Sequence, residues 1–464
     1  MDQILGEFFY FWGIMRPDSR PTSYNLNFFD RSIEGFANME HELIQLAENI
    51  DWPAIEQALE GHYCNYGRKA IPSRLLVGLQ MLRWMYGLSD EAVCGRWVES
   101  PYFQYFCGEK LFQHKLPMDR SSMTRWRKRV GEEKMQLILI ESIGTAKKLG
   151  AIKDKDMERV AVDTTVQEKA VDYPSEIKLT YDAIIDLGRE AKKAGLNLKQ
   201  NYRFVSKQLA LKASGYAHAR QFNRLNRSVD KMKTLLGKLM QRIDNAYVAV
   251  DMREYPERLL QKLGKAQQVI FQTKETKDKL LVWHAPEVEI IGKGKARAPF
   301  EFGCKVSLVM NVNKAKGGHF ILSSQALHGR PYDGHTLAGA IENMEQITKV
   351  KPQRIYADKG YKGHNYEDKL HVFISGQKRG VHGQIKRELK RRSAIEPIIG
   401  HAKYSHKLDR HKLKGELGDR INAIGAAIGF NLRQLLNFIR KSSYSFILLM
   451  IIMNILPKKS NQAA

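Results

Sequence analysis

Apolar residues recur at helical spacing from Pro72 to Tyr86 (PSRLLVGLQMLRWMY), and the pattern breaks at Gly87-Leu88. Ser89 and Asp90 then open a second helical stretch, SDEAVCGRWVES. Helix, short turn with glycine, helix is the outline of a helix-turn-helix. It is equally the outline of an all-helical packing or dimerisation domain with a solvated basic face. Ser121-Ser122 caps a further helix whose first turns carry Arg125, Arg127, Lys128 and Arg129. Residues 1–150 are therefore expected to be mostly helical.

Near residue 159 the period changes. RVAVDTT (Arg159 to Thr165) is a β-branched run that predicts a first strand ending at Asp163. A long helical block follows from about 176 to 282. Within it Phe222, Leu225, Val229, Met232, Leu236, Leu239 and Ile243 keep an alternating spacing of three and four, the seam of a helical hairpin or small bundle. Strand patterning returns in GCKVSLVMNV (303–312) and FILSSQAL (320–327), which predict a hairpin around the KGGHF turn. A helix at about 335–347, the strand RIYA (354–357), a short strand HVFIS (371–375) and a basic helical stretch from Lys386 complete the order. That order predicts an α/β chain: a ribonuclease-H-like domain over 151–435 with a helical insertion after its first strand, preceded by the all-α domain. Residues 436–464 are expected to form an apolar helix and tail.

Charge sharpens this picture. The 464 residues include 75 Lys+Arg and 50 Asp+Glu, a formal charge of +25, which points to a polyanionic partner. Nucleic acid is the first partner expected and an anionic membrane surface the second. Residues 189–242 alone carry fourteen Lys/Arg and two acids, with Arg220, Arg224, Arg227 and Lys231 at the spacing of one helix face. That face is expected to meet phosphates. Cys64, Cys94, Cys107 and Cys304 form no C-x-x-C pair, so neither a zinc site nor a disulfide framework is indicated, and a reducing cytoplasm fits. The N-terminus lacks the basic start of a secretory signal. The apolar run from Phe446 to Leu456 is about half of the ~20 residues a bilayer span needs, so no membrane is expected.

The candidate chemistry lies in carboxylates placed at strand ends. Asp163 closes the first predicted strand and Asp358 the strand RIYA. If those strands are neighbours, the two carboxylates converge, and a hard dication such as Mg²⁺ or Mn²⁺ is what oxygen ligands of that kind hold. In KRELKRRSAIEPIIGHAK (386–403), Arg392, Glu396 and Lys403 would lie within about 40° of one another on an ideal helix. Glu396 is open to two readings, a metal-site carboxylate or the closing residue of the capping box Ser393-Ala394-Ile395-Glu396.

AVDTT, YADKGY and RRSAIEPIIGHAK, in this order, resemble the three catalytic regions of bacterial insertion-sequence transposases of the DDE superfamily, in the group named after insertion sequence five. LSDEAVCGRWVESPYFQYFCGE is similar to that family's terminal-repeat-binding region, and the resemblance spans nearly all of 40–435. It implies that Asp163, Asp358 and Glu396 hold two divalent ions, and that Arg392 and Lys403 hold phosphates. Lys359 and Lys362, in KGYKG beside Asp358, Arg125 and Arg127 near the N-terminal helices, and the arm at 220–231 would contact double-stranded DNA. The implied activity is cleavage at element ends and strand transfer by a homodimer. A nuclease that cuts without joining, or an inactive DNA-binding protein, are the alternatives. Leu389 stands where the family has a tyrosine.

Overall fold

In the computed structural model, the structure describes residues 32–62, 70–249, 256–273, 275–294, 299–368 and 371–455. Cys64 lies outside them. The fold is mixed α/β, and the chain clusters into two units: residues 1–168 with 305–464, and residues 169–304.

The first unit is organised by β1 (Arg159–Glu168), whose Val160, Ala161 and Val162 are fully buried, as β-branched and small apolar residues in a strand covered on both faces should be. β3 (Phe300–Asn311) lies on one side of it, and the Val312 amide donates to the Arg159 carbonyl at 2.9 Å. β4 (Ile321–Leu327) pairs antiparallel with β3, Lys305 opposite Leu327. On the other side β5 (Arg354–Ala357) runs parallel to β1, and β6 (Val372–Ile374) parallel to β5. The order is thus β4-β3-β1-β5-β6 with the first strand in the middle. A strand the sequence reading lacked, β2 (Glu289–Gly292), pairs with residues 300–303 of β3 inside the second unit.

One hydrophobic core joins this sheet to the N-terminal helices, where a boundary at 150 was expected. Leu79, Leu82 and Trp84 from the helix Ser73–Met85 share it with Val160, Ile355 and Leu432. The helix Gly415–Ile455 packs along the helices Ser73–Met85 and Ser121–Lys148 and along β4. Asn431 fastens it by accepting from the Ile321 amide at 2.8 Å and donating to the Ile321 carbonyl at 2.9 Å. The segment expected to begin at 436 is a continuation of this helix. No helix of the described residues is long and apolar enough to cross a membrane.

The helix-turn-helix outline is present. The helix Asp90–Glu99 follows a turn in which Gly87 sits at φ 61°, and Ser89 caps it by accepting from the Ala92 amide at 3.1 Å. The outer face of this second helix carries Glu91, Arg96 and Glu99.

In the second unit, the helices Glu176–Lys193, Arg203–His218, Phe222–Ala249 and Glu257–Phe271 follow one another, and their core contains Leu187, Met232, Leu236, Leu239, Ile243 and Leu263. The heptad seam is buried only from Val229 onward. Phe222, expected at its start, is 61% exposed.

Candidate functional site

The register of β1 against β5 places the two expected aspartates together. Arg159 pairs with Arg354, Val160 with Ile355 and Ala161 with Tyr356, so the same offset of 195 carried two steps further sets Asp163 opposite Asp358. Neighbouring strands are about 4.8 Å apart, and residues in register present their side chains to the same face. Asp163 is not at the end of its strand, as expected, but midway, since β1 continues to Glu168. It is β5 that ends there. Beyond Ala357 the chain turns into the short 3₁₀ segment Lys359–Tyr361, and Asp358 caps that turn by accepting from the Gly360 amide at 2.8 Å.

The environment of Asp163 is tense. Its Oδ1 accepts from the Thr164 amide at 2.8 Å, and its Oδ2 lies 3.7 Å from Arg392 Nη1. Even so its carboxyl is pushed up to about 6, first by burial and then by the charge of Asp358, against the opposing pull of Thr164 and Arg392. The buried Tyr361 hydroxyl is also pushed well up, by burial and then by Asp163 and Asp333. Asp333, which the sequence reading did not single out, belongs to this cluster. Its Oδ1 accepts from Thr164 Oγ1 and from Lys305 Nζ, both at 2.9 Å.

A proton bound more tightly by folded than by unfolded chain stabilises the fold at low pH, and that contribution is lost as pH rises from about 4 to about 6. The melting temperature of metal-free protein should therefore fall across that interval more steeply than that of Asp163→Asn. Parallel curves would show that Asp163 ionises as an ordinary carboxylate.

The third motif is arranged differently from the single helix expected. A helix Gly383–Arg391 and a helix Ile395–Ser405 are separated by a 3₁₀ turn, Arg392–Ala394. Arg392 bridges outward from that turn, with Nη2 3.9 Å from Glu396 Oε1 and Nη1 facing Asp163. Glu396 itself is 69% exposed. The capping box does not form: Ser393 Oγ donates backward to the Lys390 carbonyl at 3.0 Å, and Ala394 at the helix start has no side-chain cap. Lys403 is half-buried further along this helix, while Lys359 and Lys362 are exposed beside Asp358. Leu389 packs, partly buried, against the core.

Glu388, one turn before Arg392, is only 1% exposed and fully engaged. Arg354 Nε donates to it at 2.9 Å, Gln384 Nε2 at 2.9 Å and the Tyr356 hydroxyl closes the set, with Arg159 Nε 3.5 Å away. Burial pushes its carboxyl up, but these donors hold it below the usual range.

Two further expectations change. Arg127 is 4% exposed, and its guanidinium is held by Asp90, Gln80 and Thr124, with Arg83 Nε also 2.7 Å from Asp90. It locks helices together and is closed to phosphate. Arg125 is exposed but tied to Ser121 Oγ at 2.8 Å. In the second unit Arg220, Arg224, Arg227 and Lys231 are all exposed. Arg220, however, stands in the turn before the helix Phe222–Ala249, at φ 54°, not on its face.

Residues 31–129 match the family model described as a transposase domain (DUF772). The chain is 44% identical over 208 residues to the "Uncharacterized protein ORF8 in nfe locus" of Rhizobium meliloti, covering 45% of this chain and 100% of that protein. No solved structure matches it. The chain belongs to a transposase-like family, the one that includes this Rhizobium meliloti protein.

Proposed function

We propose that the protein is a DDE transposase that binds the terminal inverted repeats of its own element, cleaves the DNA there and joins the freed ends to target DNA. The observation that carries this is the parallel register of β1 and β5, which, extended two residues past its last pair, sets Asp163 opposite Asp358 just beyond the end of β5, in a chain of formal charge +25. The strand order, first strand central with two parallel strands beside it, supports a ribonuclease-H-like sheet.

The residues present fit a divalent ion. Asp163 retains a proton to about 6 because burial and Asp358 both oppose its charge, and a dication between the two carboxylates relieves both. Asp163 and Asp358 would hold both ions, Mg²⁺ or Mn²⁺, and Glu396 one. Ions held there supply Lewis acidity to the attacking and leaving oxygens of a phosphodiester. Arg392 sets its guanidinium 3.7 Å from Asp163 and 3.9 Å from Glu396, a cation that would draw a phosphate to the same place. Lys359 and Lys362, exposed in the turn after Asp358, and Lys403, further along the helix that carries Glu396, would add cations for the DNA backbone.

The exposed cations of the second unit suit backbone contacts that carry no sequence information. Replacing Arg220, Arg224, Arg227 and Lys231 together with Gln should weaken binding to all duplexes and flatten the salt dependence by about 0.9 log unit per lost contact. An unchanged slope would return these residues to solvent. For the activity, the protein is incubated in Mg²⁺ with duplexes carrying the repeats that flank its own coding frame. New junctions between those ends and a second duplex support the reading, and cleavage without junctions would make it a nuclease.

A further inference from the structure

We propose that Asp333 is a positioning residue of this acidic site, the joint that fixes the Asp163 and Asp358 carboxylates relative to each other, with Lys305 holding Asp333 in place. The proposal rests on the reading of Asp163 and Asp358 as a divalent-cation site.

Asp333 opens the 3₁₀ segment Asp333–Thr336 after β4, and its two oxygens are divided between the two sides of the site. Oδ1 faces β1 and β3. It accepts from Thr164 Oγ1 and from Lys305 Nζ, and Lys305 Nζ also donates to the Pro331 carbonyl at 2.8 Å, which fixes the ammonium from two directions. Oδ2 faces the turn after β5. A Cβ placed on Gly360 would lie 3.2 Å from Asp333 Oδ2 and 3.0 Å from Asp358 Oδ1, so both oxygens close on the same glycine and lie within the sum of those distances of each other.

Thr164 completes the connection. Its amide donates to Asp163 Oδ1 and its hydroxyl to Asp333 Oδ1, so one residue orients both carboxylates. The bonded path therefore runs from Asp163 through Thr164 to Asp333, whose second oxygen stands beside the turn that Asp358 caps. Lys305 balances the third negative charge in a half-buried place, with side-chain exposures of 18% for Lys305 and 28% for Asp333. With Oδ1 committed to these two donors, Asp333 serves as an orienting partner of the ligand pair. Partners of that kind affect metal affinity by about 10- to 100-fold when removed.

Calorimetric titration of Mn²⁺ into the full-length protein without DNA tests this, alongside the melting temperature of each variant. Asp358→Asn should abolish binding. Thr164→Val, which alters no charge and keeps the side-chain shape, should weaken it by about 10-fold, and Asp333→Ala by about 10- to 100-fold. Asp333→Asn keeps an acceptor for Thr164 and Lys305 and should bind better than Asp333→Ala. If Asp358→Asn abolishes binding while Thr164→Val and Asp333→Ala bind as the parent does, the positioning role is overturned and the cation site stands. If Asp333→Asn is as inert as Asp358→Asn, Asp333 is a ligand and the positioning role is again overturned. If the parent binds no Mn²⁺, or Asp358→Asn binds it normally, the cation site itself fails and the inference with it.

Discussion

Replacing Asp358 with Asn is expected to abolish DNA cleavage, a loss of about 10³-fold or more, while leaving DNA affinity and melting temperature close to the parent's. Lewis-acid stabilisation of a phosphoryl transfer is worth several kcal/mol, and about 4 kcal/mol corresponds to that factor. Asn keeps the carbonyl oxygen that accepts from the Gly360 amide, so the turn Lys359–Tyr361 should be retained. What is lost is the charge that a dication requires. Asp163→Asn should lose cleavage to the same extent, since its oxygen still accepts from the Thr164 amide and only the ligand charge is gone. Gel-based cleavage and filter-binding measurements on the same preparations decide the matter. Cleavage at the parental rate by either variant would remove that residue from the site.

The second large effect is on stability and concerns Glu388. Replacing it with Ala leaves the Arg354 guanidinium and the Tyr356 hydroxyl without their acceptor beneath the sheet, and Arg159 without its nearby anion. Breaking a buried ion pair from one side costs about 3–5 kcal/mol, a large part of a typical stability of about 5–15 kcal/mol. Glu388→Ala should therefore unfold at markedly lower denaturant concentration. Glu396→Gln should not, because Glu396 is 69% exposed and its one described ion pair, with Arg392, is long at 3.9 Å. Reversal of that order, with Glu396→Gln the less stable variant, would make Glu396 the structural carboxylate.

The parts of this molecule that were legible in the sequence are those set by local pattern. β-branched and aromatic runs marked β1 and β5, and an aspartate interrupting each apolar run was visible, although β1 continues past Asp163 to Glu168. The helix pair around Gly87 was marked by its periodicity, its glycine and its Ser89 cap. What escaped were contacts between residues distant in the chain. Arg127 looked like a phosphate-binding cation because its partner Asp90 is 37 positions away. Asp333 sits in a stretch, RPYDGH, that reads as an ordinary turn, and only the fold brings it to Thr164, 169 positions earlier. The third motif supports two readings in the sequence, one continuous helix face or a new helix start at Ser393-Ala394-Ile395-Glu396, and a new helix does begin at Ile395 although the capping box does not form. The 3₁₀ turn at Arg392–Ala394 lets Arg392 face Asp163 while it stays near Glu396, a link to β1 that helix geometry alone does not reveal.

Anomalous diffraction from crystals of the parent protein grown in Mn²⁺ tests the central claim most directly, because it locates the ion without reference to any substrate. The expected result is a peak coordinated by carboxylate oxygens of both Asp163 and Asp358, absent from crystals of Asp358→Asn. A well-occupied Mn²⁺ peak elsewhere in a protein that cleaves DNA, with none between Asp163 and Asp358, would contradict it.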